Sequence, residues 1–183
     1  GSDYYKLDDK MEVIDTISDS GVIDNYINIE PRLSLNYKLN KISSLKFAYT
    51  RNTQNLHLIA NSVTTSPSDK WVMSSNNIKP EIGDQISLGY VRNFDNNAFE
   101  FSVETYYKWM QNQIDYKDGA NERDPIIERQ LLYGDGRAYG IEFLLKKNKG
   151  KFTGWLGYTL SKSEKQINGI NNDDWYAARQ DRP

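Results

Sequence analysis

The sequence predicts an all-β fold, antiparallel and up-and-down, with about six to eight strands forming part of a transmembrane β-barrel of the outer-membrane kind. Three observations predict it. Segments of about ten residues alternate between apolar and polar side chains, the connections between them are alternately short and long, and the apolar-phase aromatics gather toward the segment ends. Successive side chains of a strand project to opposite faces, so alternation gives each strand one oily and one wet side. Such a wall is only half apolar, so a mean hydropathy of −0.75 remains compatible with lipid on one face.

Taken in order, the first strand is YINIEPRLSLNYKL (26–39), in which Ile27, Ile29, Pro31, Leu33, Leu35, Tyr37 and Leu39 alternate with Asn28, Glu30, Arg32, Ser34, Asn36 and Lys38. The second, about 43–53, sets Leu45, Phe47 and Tyr49 against Lys46, Ala48 and Thr50. The third, 84–94, sets Ile86, Leu88, Tyr90 and Phe94 against Gln85, Ser87, Gly89 and Asn93. AFEFSVETYYKWM (98–110) is the most regular, with Phe99, Phe101, Val103, Thr105, Tyr107 and Trp109 opposed to Glu100, Ser102, Glu104, Tyr106 and Lys108. The fifth, 137–147, places Tyr139, Ile141, Phe143 and Leu145 on its apolar side, and the sixth, 151–163, places Phe152, Leu156, Tyr158 and Leu160 there. Each is near the roughly 9 to 11 residues a tilted strand needs to cross a bilayer.

The connections sort by length. Short turns at 40–42, 95–97 and 148–150 alternate with long polar stretches at about 52–83, 111–136 and 164–180. Outer-membrane barrels have short turns on the periplasmic rim and long loops on the outer one. A compact soluble domain seldom carries structureless loops of ~20 residues. This topology gives each strand a direction. Tyr37, Tyr90, Phe94, Phe99 and Phe152 then fall near the short-turn rim, and Tyr49, Tyr107, Trp109 and Tyr139 toward the long-loop rim. Leu33, Leu35, Phe47, Ile86, Leu88, Phe101, Val103, Ile141, Phe143 and Leu156 lie between. Two aromatic girdles around an aliphatic belt are what a lipid-facing barrel surface carries. Tyr37, Tyr49, Tyr90, Tyr107, Trp109 and Tyr139 are the expected girdle residues; Glu100, Glu104 and Glu142 are expected to face the lumen. Arg51 and Arg92 share the apolar phase at strand ends, where a basic group costs about 0 to 1 kcal/mol and can snorkel to head groups. Trp155 on the wet face and Pro31 inside a strand fit less well.

Composition excludes several classes. The chain has 183 residues, no Cys, one His and a net charge of −2. That excludes disulfides and thiolate zinc sites, and the near-neutral charge argues against nucleic-acid binding. No apolar run approaches the roughly 18 residues of a spanning helix. Residues 1–2, GS, read as a cloning scar, with 3–183 as the partial barrel. No catalytic constellation is evident, and neither a cofactor nor a metal is expected. His57 reads as an ordinary loop residue, a ligand contact being the alternative. GDGRAYG (134–140) has Tyr139 where a dinucleotide loop needs its third glycine, and a strand follows it, so its glycines read as strand-start and close-packing positions. Asp115, Asp118, Asn121, Glu122 and Asp124 are oxygen ligands of the kind calcium takes, but their spacing is not that of an EF-hand, so a solvated acidic loop is expected. Trp71, Tyr116, Arg123, Trp175 and Tyr176 lie in or beside long loops among Asn, Asp and Arg, a mixture suited to stacking on a ligand and bonding its polar edges.

Several stretches resemble TonB-dependent outer-membrane receptors, in particular the barrel half of the large receptors related to SusC-like importers. They are 29–59, 78–94, 99–120, 134–164 and the closing WYAARQDRP (175–183). The block around Gly136, Arg137, Tyr139, Gly140, Glu142, Lys146, Gly150, Gly157, Tyr158 and Ser161 is the most specific. The resemblance implies a barrel of roughly 22 strands in the outer membrane of a Gram-negative bacterium, blocked by a plug. It implies uptake of a nutrient such as an iron chelate, glycan or peptide. The implied partners are outer-membrane lipid, the rest of the barrel and plug, the TonB/ExbB/ExbD complex and a surface lipoprotein lid. No stretch resembles a plug or a TonB box, so the expectation is a fragment of the barrel domain whose edge strands seek partners. The alternatives are a soluble β-sandwich binding carbohydrate or protein, and a passive porin or adhesin.

Overall fold

The computed structural model describes residues 4–7, 12–17, 25–59, 70–117, 119–121, 124 and 126–178. Within them lie β1 (Tyr4–Leu7), β2 (Val13–Ile17), β3 (Arg32–Lys38), β4 (Ser43–Gln54), β5 (Leu56–Ile59), β6 (Lys70–Met73), β7 (Glu81–Phe94), β8 (Phe99–Tyr116), β9 (Leu131–Lys147), β10 (Gly154–Ile167) and β11 (Tyr176–Ala177). Seven strands make one antiparallel meander in the order β3-β4-β7-β8-β9-β10-β11, while β1–β2 and β5–β6 are separate hairpins. No helix among the described residues is long and apolar enough to cross a membrane. The fold is all-β, part of a β-barrel wall, as the alternation implies.

All six expected strands form, but the bounds need correction. The first starts at Arg32 and not at residue 26, which leaves Pro31 just outside it. Lacking an N–H, Pro31 still extends the pairing as an acceptor, taking the Arg51 N–H at 3.0 Å. The sixth starts at Gly154, past the expected residue 151. Strands run on into the long stretches: β7 begins at Glu81, β8 runs on to Tyr116, β9 begins at Leu131 and β10 reaches Ile167.

The cause is clearest in β8. Met110 pairs with Gly136 but Gln113 pairs with Gly134, so one extra residue is accommodated in a bulge. Asn112 takes a left-handed φ of 57° there, and its side-chain amide donates to the Pro80 carbonyl at 2.8 Å. Alternation read from the sequence stops where the bulge resets it. The tight turn after β7 uses three consecutive left-handed residues, Asp95, Asn96 and Asn97, with φ of 47°, 49° and 65°. Asp and Asn adopt that region more readily than other side-chain-bearing residues.

Register lines the apolar side chains up across strands. One row reads Leu35, Phe47, Leu88, Thr105, Ile141, Leu160, and the next toward the long-loop rim reads Leu33, Tyr49, Ile86, Tyr107, Tyr139, Lys162. Toward the short-turn rim come Tyr37, Leu45, Tyr90, Val103, Phe143 and Tyr158. Among the described residues no second layer covers this face: Leu88 is 53 % exposed and Leu156 72 %. The sandwich alternative requires that cover. From Phe99 to Trp109 the apolar phase spans ten residue-to-residue steps of β8, about 34 Å along the strand at ~3.4 Å per step. At a tilt of about 40° that projects to roughly 26 Å, close to the ~25 Å apolar band of an outer-membrane barrel.

The buried core sits elsewhere, at the long-loop end. Ile59, Ile78, Ile114, Tyr116 and Leu131 form it, with Val72, Ala120, Ile127 and Tyr133 packed against them. Ile114 pairs with Tyr133 and Tyr116 with Leu131, in the phase that carries Arg137 and Tyr139 lower on β9. The apolar phase thus continues beyond Trp109, where β5, β6 and the segment after β6 cover it.

Candidate functional site

The polar face is built by the residues between the apolar ones. One row brings together Asn36, Lys46, Gly89, Glu104, Glu142 and Thr159. Glu104 and Glu142 are directly opposed, a like-charge pair that costs stability in an antiparallel ladder. Gly89 leaves a gap beside them: the spot a side chain would fill lies 3.7 Å from both the Glu104 carboxylate and the Lys46 stem. A row nearer the short turns aligns Asn93, Glu100, Lys146 and Trp155. Trp155 stands on the polar face, 74 % exposed. Gly140 admits the ring of Tyr106, for a Cβ there would sit 3.0 Å from that ring and 2.7 Å from the Leu160 carbonyl oxygen. The GDGRAYG glycines are therefore close-packing positions inside a strand paired on both sides.

The residues expected in a girdle lie on the apolar side of the sheet. Tyr49, Tyr107 and Tyr139 share a row, Trp109 lies one row higher, and Tyr37 and Tyr90 share a lower row. Tyr107 stacks on Tyr139 with centroids 5.8 Å apart and tilts against Trp109 at 4.7 Å.

Sequence reasoning missed the ionic row at Trp109's level, which reads Arg51, Asp84, Trp109, Arg137, Glu164. Arg51 donates to Asp84 through two nitrogens at 2.8 and 3.0 Å, and the Tyr49 hydroxyl donates to the same carboxylate at 2.7 Å. Arg51 therefore holds a carboxylate across the strands, where snorkelling was expected. Arg92, at the opposite rim, lies 5.0 Å over the Phe94 ring. Arg137 donates through Nε to Glu164 at 2.7 Å, and Lys162 donates to the other oxygen of Glu164 at 2.6 Å. The Arg137 guanidinium also lies 4.1 Å over the Trp175 ring. The signal was parity: Asp84 and Arg137 stand two residues before Ile86 and Tyr139, and Lys162 two after Leu160.

The rim cap explains the remaining candidates. His57 is 1 % exposed, bridging Glu81 at 3.3 Å through Nδ1 and Ser74 at 3.0 Å through Nε2. It holds β5 to the start of β7. Tyr116, expected in a ligand-contacting loop, is instead strand residue and core. Trp71 is 63 % exposed and pairs across the hairpin with Leu58, beside the exposed pair Leu56 and Met73. Tyr176 pairs with Lys165 at the edge of β10. Arg123 lies outside the described residues, as do Asp118 and Glu122 of the acidic stretch. Asp124 shapes the loop, accepting from the Ile126 N–H at 2.9 Å and the Gln130 amide at 2.6 Å. These hydrogen bonds hold its carboxyl below the usual range. Burial, reinforced by Glu128, pushes the Tyr133 hydroxyl of the cap up to about 12. Glu128 accepts from Ser75 at 2.8 Å and from Asn77, and Asn77 accepts from the Leu7 N–H at 3.1 Å, tying the first hairpin to the cap. Among the described residues no three His, Asp or Glu side chains are grouped to hold a metal ion.

Comparison with curated proteins finds no match, and comparison with solved structures finds none. The family model described as TonB dependent receptor-like, beta-barrel, matches residues 3–182. A single-layer, two-faced meander and a match across nearly the whole sequence agree: this chain belongs to the TonB-dependent receptor β-barrel family, whose members are outer-membrane transporters of Gram-negative bacteria.

Proposed function

We propose that the chain is wall from an energy-coupled importer of the SusC-like kind, taking up a nutrient such as an iron chelate, glycan, peptide or cobalamin. The observation carrying this reading is the two-faced single layer, apolar and uncovered outside, with charged rows inside. Glu100, Glu104 and Glu142 would line the path or contact a plug, since two directly opposed carboxylates gain from a basic or hydroxyl-rich partner. Trp71, Arg123, Trp175 and Tyr176 are the residues assigned to ligand or to a lipoprotein lid; Trp71 suits it best, exposed on a hairpin beyond the wall. TonB with ExbB and ExbD would supply the energy, acting on the plug of the parent receptor.

The test is accumulation of labelled iron chelates, oligosaccharides, peptides and cobalamin by cells carrying the parent receptor, with and without TonB. Energy-dependent uptake of one class, lost without TonB, is the expected result. Uptake that persists without TonB makes the protein a passive pore.

A further inference from the structure

We propose that Asn168 is a site of self-modification: its side-chain carbon is attacked by the Gly169 nitrogen, ammonia leaves, and Asp173 carries the proton between them. Asn168–Gly169 is the one Asn-Gly step in the sequence. It lies in the exposed turn that leaves β10, between Ile167 and Ile170, where the Ile170 N–H donates to the Ile167 carbonyl at 3.1 Å. Gly169 holds a left-handed φ of 87° there, and without a Cβ it leaves the approach to its nitrogen open. The Asn168 carboxamide has no hydrogen-bond partner among the described residues, while the Asn168 backbone N–H is anchored to the Tyr133 carbonyl at 3.2 Å.

The proton acceptor is already in place. The Gly169 N–H, whose proton must be lost in ring closure, donates to Asp173 Oδ1 at 2.7 Å, within the reach a general base needs. Asp173 is itself held from both sides: its N–H donates to the Ile170 carbonyl at 3.1 Å, and its carbonyl accepts from the Gln166 side chain at 2.7 Å. As the Gly169 nitrogen bonds to the Asn168 side-chain carbon, its proton passes to Asp173. The bond from that carbon to the amide nitrogen then breaks, and the nitrogen takes the proton and leaves as ammonia. Water opens the resulting five-membered succinimide at either carbonyl, giving aspartate or isoaspartate at 168, so one water enters for each ammonia lost. Asn171 and Asn172 lack this arrangement: the residues after them, Asn172 and Asp173, carry side chains, and the Asn171 amide donates to the Asp174 carbonyl at 3.3 Å. Either product sets a new carboxylate beside Asp173, and isoaspartate also lengthens the backbone, in the loop that leads to Trp175 and its contact with Arg137.

The experiment incubates the intact 183-residue chain in detergent micelles at neutral pH and body temperature. Peptide mapping scores replacement of NH by O at 168, and electron-transfer fragmentation separates isoaspartate from aspartate. The released tryptic segment 166–179, incubated alone, is the reference for the same Asn-Gly step with no fold around it. Conversion in the folded chain is expected to be about tenfold faster than in the segment, at Asn168 and not at Asn171 or Asn172. Asp173→Asn, which keeps an oxygen acceptor but removes the base, should slow the folded chain to about the rate of the segment. Asp174→Asn, the same change one residue along, should leave the rate of the folded chain unchanged. A folded chain that converts no faster than the segment overturns the proposal without recourse to any variant. Faster conversion in Asp173→Asn also overturns it, because the carboxylate then shields the nitrogen.

Discussion

Replacing Leu88 with Arg separates a wall that faces lipid from one that faces water. Leu88 lies in the middle apolar row, between Phe47 and Thr105, and is 53 % exposed, so the larger side chain meets no steric obstacle. Without lipid the change is a surface substitution worth within about 0.5 kcal/mol. With lipid the guanidinium sits near the midplane, where it costs about 2 to 4 kcal/mol. At about 1.4 kcal/mol per decade, that is a loss of roughly 30- to 700-fold in the vesicle-partition constant. Ser87→Arg, one residue away on the polar face, is the internal control and should change partition less than about threefold. Flotation of the chain with phospholipid vesicles over a lipid titration reads both variants. Equal partition of Leu88→Arg and Ser87→Arg would refute the assignment of faces.

Three further outcomes follow from the rim and the tight contacts. His57→Ala removes two buried hydrogen bonds and should destabilise the cap by about 1–3 kcal/mol, read as faster amide exchange in β5 and β6 with the lower halves of β7–β9 unchanged. Gly140→Ala places a Cβ 2.7 Å from the Leu160 carbonyl oxygen and should cost about 1–3 kcal/mol in denaturant titration, while Gly154→Ala, with open space around it, should cost far less. Because the folded-state pKa of Asp124 is depressed, its contribution is present above the unfolded value and is lost as pH falls through the folded one. Proteolytic protection of loop 117–130 should hold from pH 7 to 5 and fall below about pH 4, and Asp124→Asn should remove that acid step.

The wall was legible because each of its rules is local. Alternation in 84–94 and 98–110 needs no partner to be seen, and DNN and NKG mark turns by residue type. What stayed hidden depends on neighbours or on a break in period. The Asn112 bulge inverts the parity of β8, so Ile114 and Tyr116 read as loop. The pairs Arg51–Asp84 and Arg137–Glu164 are 33 and 27 residues apart, and only register brings them together. His57 carries no periodic signal at all; its burial comes from Glu81 and Ser74 closing over it.

The bulge at Asn112 also governs which changes in length the upper hairpin can absorb. A strand behaves like a two-letter reading frame, and this one extra residue is a frameshift that puts Ile114 and Tyr116 back on the side of Trp109. Excision of Asn112 would turn both side chains toward the lumen, leaving the β5–β6 hairpin without its apolar footing. A single insertion or deletion within the paired stretches 110–116 or 131–134 thus needs a compensating bulge, whereas the connection between them carries no alternating face to invert. Among relatives of this wall, the connection beyond the paired residues can vary in length while the cap keeps its place, provided the count of residues between the bulge and the strand end is kept.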